Sequence, residues 1–132
     1  MPHQNTIRAL TVGLAAPGVR TASFNTDSWV NDDGDYVGLC VVASAASGTS
    51  PTCNAKLQFS PDGGTTWIDL DATNAITANL TAAGNQTCWA GPGLPVTASK
   101  SANIPVPRLL RAAVTIGGTT PSFTLNVYAL GV

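Results

Sequence analysis

The side chains able to do chemistry in this chain are few and far apart. His3 is the only histidine and there is no glutamate, so acid–base work would fall to seven aspartates. Most of these sit in turn-like stretches. Asn31-Asp32-Asp33-Gly34-Asp35 is dense enough in carboxylates to suggest a calcium loop, since hard cations take several oxygen ligands. It lacks the register of an EF-hand loop and its closing bidentate glutamate, and reads better as a solvated turn. Three cysteines, Cys40, Cys53 and Cys88, match no metal spacing. They read as small buried or half-buried thiols in a reducing compartment, ahead of one disulfide with a thiol left over. No nucleophile elbow, phosphate loop or paired-histidine zinc motif is present. The expectation is a protein that is not an enzyme, with no catalytic residues, no metal and no cofactor.

Binding chemistry has more material. Trp29, Trp67 and Trp89 with Tyr36 and Tyr128 could form a platform on which sugars stack, although core packing is the plainer expectation for such rings. Trp89, in a glycine-rich stretch, is expected to be the most exposed of the tryptophans. The six basic residues, Arg8, Arg20, Lys56, Lys100, Arg108 and Arg111, are scattered, and the net charge is −1. Nucleic-acid binding needs a clustered basic footprint to neutralise phosphates, and none is visible. No stretch approaches the ~20 apolar residues of a membrane helix, and Met1-Pro2-His3-Gln4-Asn5 has no basic segment leading into an apolar run. Neither nucleic acid nor membrane is an expected partner.

The element that must position these groups is a hairpin from Ala55 to Leu70. Ala55, Leu57 and Phe59 alternate with Lys56, Gln58 and Ser60, the period of a strand with one dry face. Pro61-Asp62-Gly63-Gly64 turns the chain, and Thr65 to Leu70 returns it. Ser60-Pro61-Asp62-Gly63-Gly64-Thr65-Thr66-Trp67 is similar to the Asp-box of sialidases and related propellers, S-x-D-x-G-x-T-W. The likeness implies a turn and not a catalytic element. In such boxes the aspartate (here Asp62) bonds turn backbone, the glycine (Gly64) permits the bend and the tryptophan (Trp67) packs beneath. Ser60 and Thr66 complete the pattern. Propellers repeat the box in each blade, whereas this chain holds one copy.

Length and composition set the frame. At 132 residues the chain is one domain, expected as an N-terminal arm over 1–5 followed by a single fold over 6–132. Charged residues are 10% against about 25% in a typical domain, while apolar residues reach 44%. Such a chain folds, and shows a neutral, small-residue surface suited to packing on other protein. Thirteen glycines and nine prolines interrupt any long helical period, so the fold is expected to be all-β. Strands are expected over Thr6–Leu14, Val19–Asn25 continuing to Trp29-Val30, Tyr36–Ala45, the central hairpin, Ala75–Leu80 and Gln86–Ala90 as edges. Two more follow, with Leu110, Ala112, Val114 and Ile116 on one face of the first and Phe123, Leu125 and Val127 facing the core from the second. Gly91 to Pro95 is expected as a loop, with Ile104 to Pro107 as extended entry. Ser47-Gly48-Thr49-Ser50-Pro51 and Gly117-Gly118-Thr119-Thr120-Pro121 echo each other. They are expected as equivalent hairpin turns at one pole of an antiparallel β-sandwich of about eight strands, jelly-roll or immunoglobulin-like.

Three segments together resemble small virion structural proteins from tailed-phage and prophage morphogenesis clusters: Val41 to Thr52, Leu57 to Trp67 and Leu109 to Phe123. The resemblance implies a β-sandwich that sits on capsid or tail and has no enzymatic role. The functional expectation is a capsid decoration, or cement, protein that binds and stabilises the head shell. Its partners would be the major capsid protein or other virion proteins, and its own state a homotrimer or dimer, in the virion. A tail or neck component is the nearer alternative, and a carbohydrate-binding module the alternative from a different class. Candidate partner contacts are Met1, Pro2, His3, Gln4, Asn5 and Trp89, together with the loop from Gly91 to Pro107.

Overall fold

A computed structural model describes residues 8–11, 18–31, 35–70, 77–94 and 101–131. The arm Met1 to Asn5 and the acidic run at 32–34 lie outside the described residues. Ten strands are described: β1 (Arg8–Thr11), β2 (Gly18–Arg20), β3 (Phe24–Asn25), β4 (Trp29–Val30), β5 (Val37–Phe59), β6 (Ile68–Asp69), β7 (Thr77–Leu80), β8 (Gly84–Gly91), β9 (Ser101–Asn103) and β10 (Leu109–Gly131). The fold is all-β, and every pairing is antiparallel except β8 with β9.

Two of these strands make the architecture. β5 and β10 are 23 residues each and pair with one another along their length, from Leu110 opposite Phe59 to Gly131 opposite Val37. Drawn straight, each would span roughly 76 Å at ~3.3 Å per residue. A compact domain of this length is only about 36 Å across. The ribbon therefore has to fold over, and both strands do so at one place. The register slips between Gly117 and Thr119 and again before Ser122, and the bend carries four residues of positive φ: Gly48 at 112°, Ser50 at 49°, Gly118 at 108° and Thr120 at 48°. A Cβ on Gly48 would lie 2.7 Å from the Thr120 carbonyl oxygen, and one on Gly118 would lie 2.7 Å from that of Ser50. Each motif's glycine is thus the space into which the other motif's backbone fits, in an approximately two-fold arrangement.

Folding the ribbon makes a sandwich of two layers. In the first, residues 53–59 of β5 and 109–116 of β10 are flanked by β3 and β4 on one side and by β6 and β7 on the other. In the second, residues 37–46 of β5 and 123–131 of β10 are flanked by β1 and β2, and on the far side by β8 and then β9. Leu110, Ala112, Val114, Cys53, Ala55 and Leu57 of the first layer share one core with Leu39, Val41, Phe123, Leu125 and Val127 of the second. Buried positions in β10 are even-numbered before the bend and odd-numbered after it, while β5 keeps odd positions buried in both halves.

Several expectations are corrected. The two echoed motifs do lie together, but they are bends within continuing strands and not hairpin turns. The central hairpin exists with a longer loop and a shorter return: β6 pairs Asp69 with Gln58 and Ile68 with Phe59, and the Leu70 amide donates to the Leu57 carbonyl. The strand expected over Val19–Asn25 is broken into β2 and β3, because the chain crosses there from the second layer to the first: β2 pairs with 123–125 of β10 and β3 with 113–114. Buried Thr26, bonded to Ala112 through both amide and hydroxyl, then ends β3. β8 is not an edge; it lies between β5 and the unforeseen β9. β7 does sit outside β5, and the alternating core faces of β10 are as expected.

Candidate functional site

The first layer turns its polar face outward. Arg111, Gln58 and Asp69 stand side by side across β10, β5 and β6. Gln58 is bonded at both ends of its amide: Nε2 donates to Asp69 Oδ1 at 2.9 Å, and Oε1 accepts from Arg111 Nε at 2.8 Å. Lys56 Nζ donates to Asp69 Oδ2 at 3.1 Å and makes an ion pair with it. Bonding to Gln58 first, and then to Lys56, holds the Asp69 carboxyl below its ordinary range. The Arg111 guanidinium lies over the Trp67 ring, 4.5 Å from its centroid.

The Asp-box residues lead into this row. Ser60 is held to the sheet by its amide, which donates to the Leu109 carbonyl. Its hydroxyl accepts from the Gly64 amide at 2.7 Å and donates to Asp62 Oδ1 at 2.9 Å. The same Asp62 oxygen accepts from the amides of Thr65 and Thr66 at 3.1 and 2.8 Å. These bonds, with Thr66 the largest contributor, hold the Asp62 carboxyl down to about 2. Gly64 has a φ of 109°, and its carbonyl accepts from Trp67 Nε1 at 3.2 Å. Ser60, Asp62, Gly64, Thr66 and Trp67 therefore form one closed turn, whose tryptophan is delivered onto Arg111. What sequence reasoning missed is Arg111 itself. Its signal is the alternation that sets Arg111 on the face of β10 opposite Leu110 and Ala112; that it stands level with Gln58 comes only from the sheet pairing.

The second layer turns a different face outward. Tyr36, Gly38, Cys40, Val42, Thr87, Trp89, Asn126, Tyr128 and Leu130 alternate with core residues along β5, β8 and β10, and none carries a charge. Trp89, expected to be exposed, is half-buried. Its ring lies on Gly38, where an added Cβ would come within 2.8 Å of it. Tyr36 covers Gly91 in the same way. Flat rings laid over glycines shield the strand backbone from water.

The five aromatic residues do not gather on one platform. Trp29 packs against the core, Trp67 stacks with Arg111, and Trp89, Tyr36 and Tyr128 belong to the second layer. All three cysteines are free thiols. Cys53 and Cys88 are buried in the core, Cys40 is half-buried on the outer face, and burial pushes the Cys53 thiol up to about 11. Among the described residues no three His, Cys, Asp or Glu side chains are placed to hold a metal ion, and no helix is long and apolar enough to cross a membrane. Compared with family models, curated proteins and solved structures, the chain matches none.

Proposed function

We propose that the protein is a phage virion structural protein, a capsid decoration protein that binds the head shell and stabilises it. The observation that carries this reading is the run of uncharged residues that β5, β8 and β10 turn outward in the second layer, among the described residues. Burying a face without ions against protein costs little desolvation, whereas burying ions costs several kcal/mol each. A cement protein works by adding such buried contact between shell subunits, which favours the assembled state by mass action. The resemblance of segments 41–52, 57–67 and 109–123 to virion proteins of tailed phages supports the same reading. The partner is then the major capsid protein, and a homotrimer or dimer would multiply the contact.

Cosedimentation with stripped virions or empty shells tests it. The protein is expected to pellet with shells at defined copy number in low salt and in about 0.5 M salt alike, since a charge-free contact is little screened. Deletion of Met1 to Asn5 is expected to weaken binding while leaving the β-rich circular dichroism spectrum unchanged. Protein that stays in the supernatant at both salt concentrations overturns the reading.

A further inference from the structure

On the opposite side of the sandwich, the geometry points to Arg111 as the centre of a site for a carboxylate ligand. Three observations carry this. First, Arg111 is held in one orientation by the Trp67 ring on its face and by Gln58 at its Nε, and these are its only partners among the described residues. Its two terminal nitrogens make no hydrogen bond within the described protein, and neither is among the buried unpaired atoms, so they open to solvent. Second, the acid of its own row is withheld from it. Asp69 is bonded by Gln58 and neutralised by Lys56, and Gln58 stands between Asp69 and Arg111 as a neutral spacer. The row therefore keeps one uncompensated positive charge. Third, the unused part of the guanidinium is the planar pair of donors that fits two oxygens side by side.

A single charge in a row otherwise neutralised suits a monoanion. A carboxylate matches both its charge and its planar geometry, whereas a phosphate dianion would leave one charge unmatched. Holding the guanidinium beforehand removes much of the ordering cost that an exposed arginine pays on binding. The residues flanking the row, Asn25 across from Ala113 and Asn54 across from Thr115, offer two amides and the Thr115 hydroxyl for the remainder of the ligand. The carboxylate could belong to an acidic side chain or to an acidic sugar; the shared group is what Arg111 recognises.

Trp67 supplies the readout, because its ring touches the guanidinium. The full chain is titrated with sodium acetate, with an N-acetylated glutamate peptide and with galacturonate oligomers, against sodium chloride at equal ionic strength. The Trp67 indole N–H resonance is followed by NMR. The expected result is a saturable shift with carboxylates and none with chloride, and whichever of the peptide and the sugar acid binds more tightly identifies the source. Arg111→Gln is expected to weaken binding at least ten-fold. Gln58→Glu, which supplies an internal carboxylate to Arg111 although it gives up the amide donor to Asp69, is expected to do the same, with an unchanged circular dichroism spectrum as the check on its fold. Equal shifts with carboxylate and chloride, or unchanged binding in both variants, overturn the inference. Neither result bears on shell binding.

Discussion

The crossing of the two echoed motifs makes a quantitative demand on Gly118. Alanine there must hold a φ of 108°, a region that residues with a Cβ avoid at a cost of about 1–3 kcal/mol. Its Cβ would also stand 2.7 Å from the Ser50 oxygen and 3.0 Å from both the Thr49 oxygen and Pro51 Cα. All three are backbone atoms of a paired strand and cannot swing aside as a side-chain tip can. Relieving that overlap adds roughly 1–3 kcal/mol. Gly118→Ala is therefore expected to lose about 4 kcal/mol, and Gly48→Ala, which meets the Thr120 and Thr119 oxygens at 2.7 and 2.9 Å, about the same. Gly63→Ala is the control: its φ is 79°, nothing lies within 4 Å of the added atom, and it should lose only about 1 kcal/mol. Urea unfolding followed by tryptophan fluorescence measures all three. The double variant Gly48→Ala/Gly118→Ala should lose less than the sum, because one substitution already opens the space the other needs. If Gly118→Ala were no worse than Gly63→Ala, the two motifs would not cross as described.

Two further expectations concern titration. Asp62 has its folded-state value lowered from 3.8 to about 2, so it favours the native state above pH ~4 and that contribution is lost as pH falls toward ~2. Its carboxyl resonance should titrate near the lower value, and acid should lower the melting temperature over that range more in the wild type than in Asp62→Asn. The thiols should separate by position under a thiol reagent at pH 8. Cys40 reacts first, buried Cys53 and Cys88 react only on unfolding, and denatured protein without reductant gives three groups. Finding one group instead would mean a disulfide.

The dry faces were legible because period-two alternation survives in any strand that covers a core. That pattern puts Leu110, Ala112, Val114 and Ile116 on one face and turns Phe123, Leu125 and Val127 to the core, and all seven are buried. The long strands were not legible, for a related reason. In β10 the alternation changes parity between Ile116 and Phe123, in the same stretch where Gly117-Gly118-Thr119-Thr120-Pro121 presents turn chemistry. A parity change and turn residues describe a hairpin and a bend equally well. What decides between them is the partner motif around Gly48, far away in the chain, whose backbone fills the space that Gly118 leaves. The Asp-box turn was legible to the residue because its bonds are local, spanning four residues at most. Arg111 reaches the same site from 44 positions beyond Trp67, through sheet pairing that no local pattern encodes.

One strand also explains why the two outer faces differ so sharply. Away from the bend β5 turns even-numbered residues outward on both sides of it, and these are Gly38, Cys40 and Val42 in the second layer but Asn54, Lys56 and Gln58 in the first. The second-layer face gives up few water contacts when covered, so it suits a broad contact whose strength comes from area. The first-layer face would have to strip the Lys56–Asp69 pair and Arg111 of water if covered broadly, and that penalty grows with every ion removed. It suits a small contact that meets Arg111 alone and leaves the rest wet. Salt tells the two apart: binding through Arg111 should weaken as ionic strength rises, whereas binding through the second layer should not.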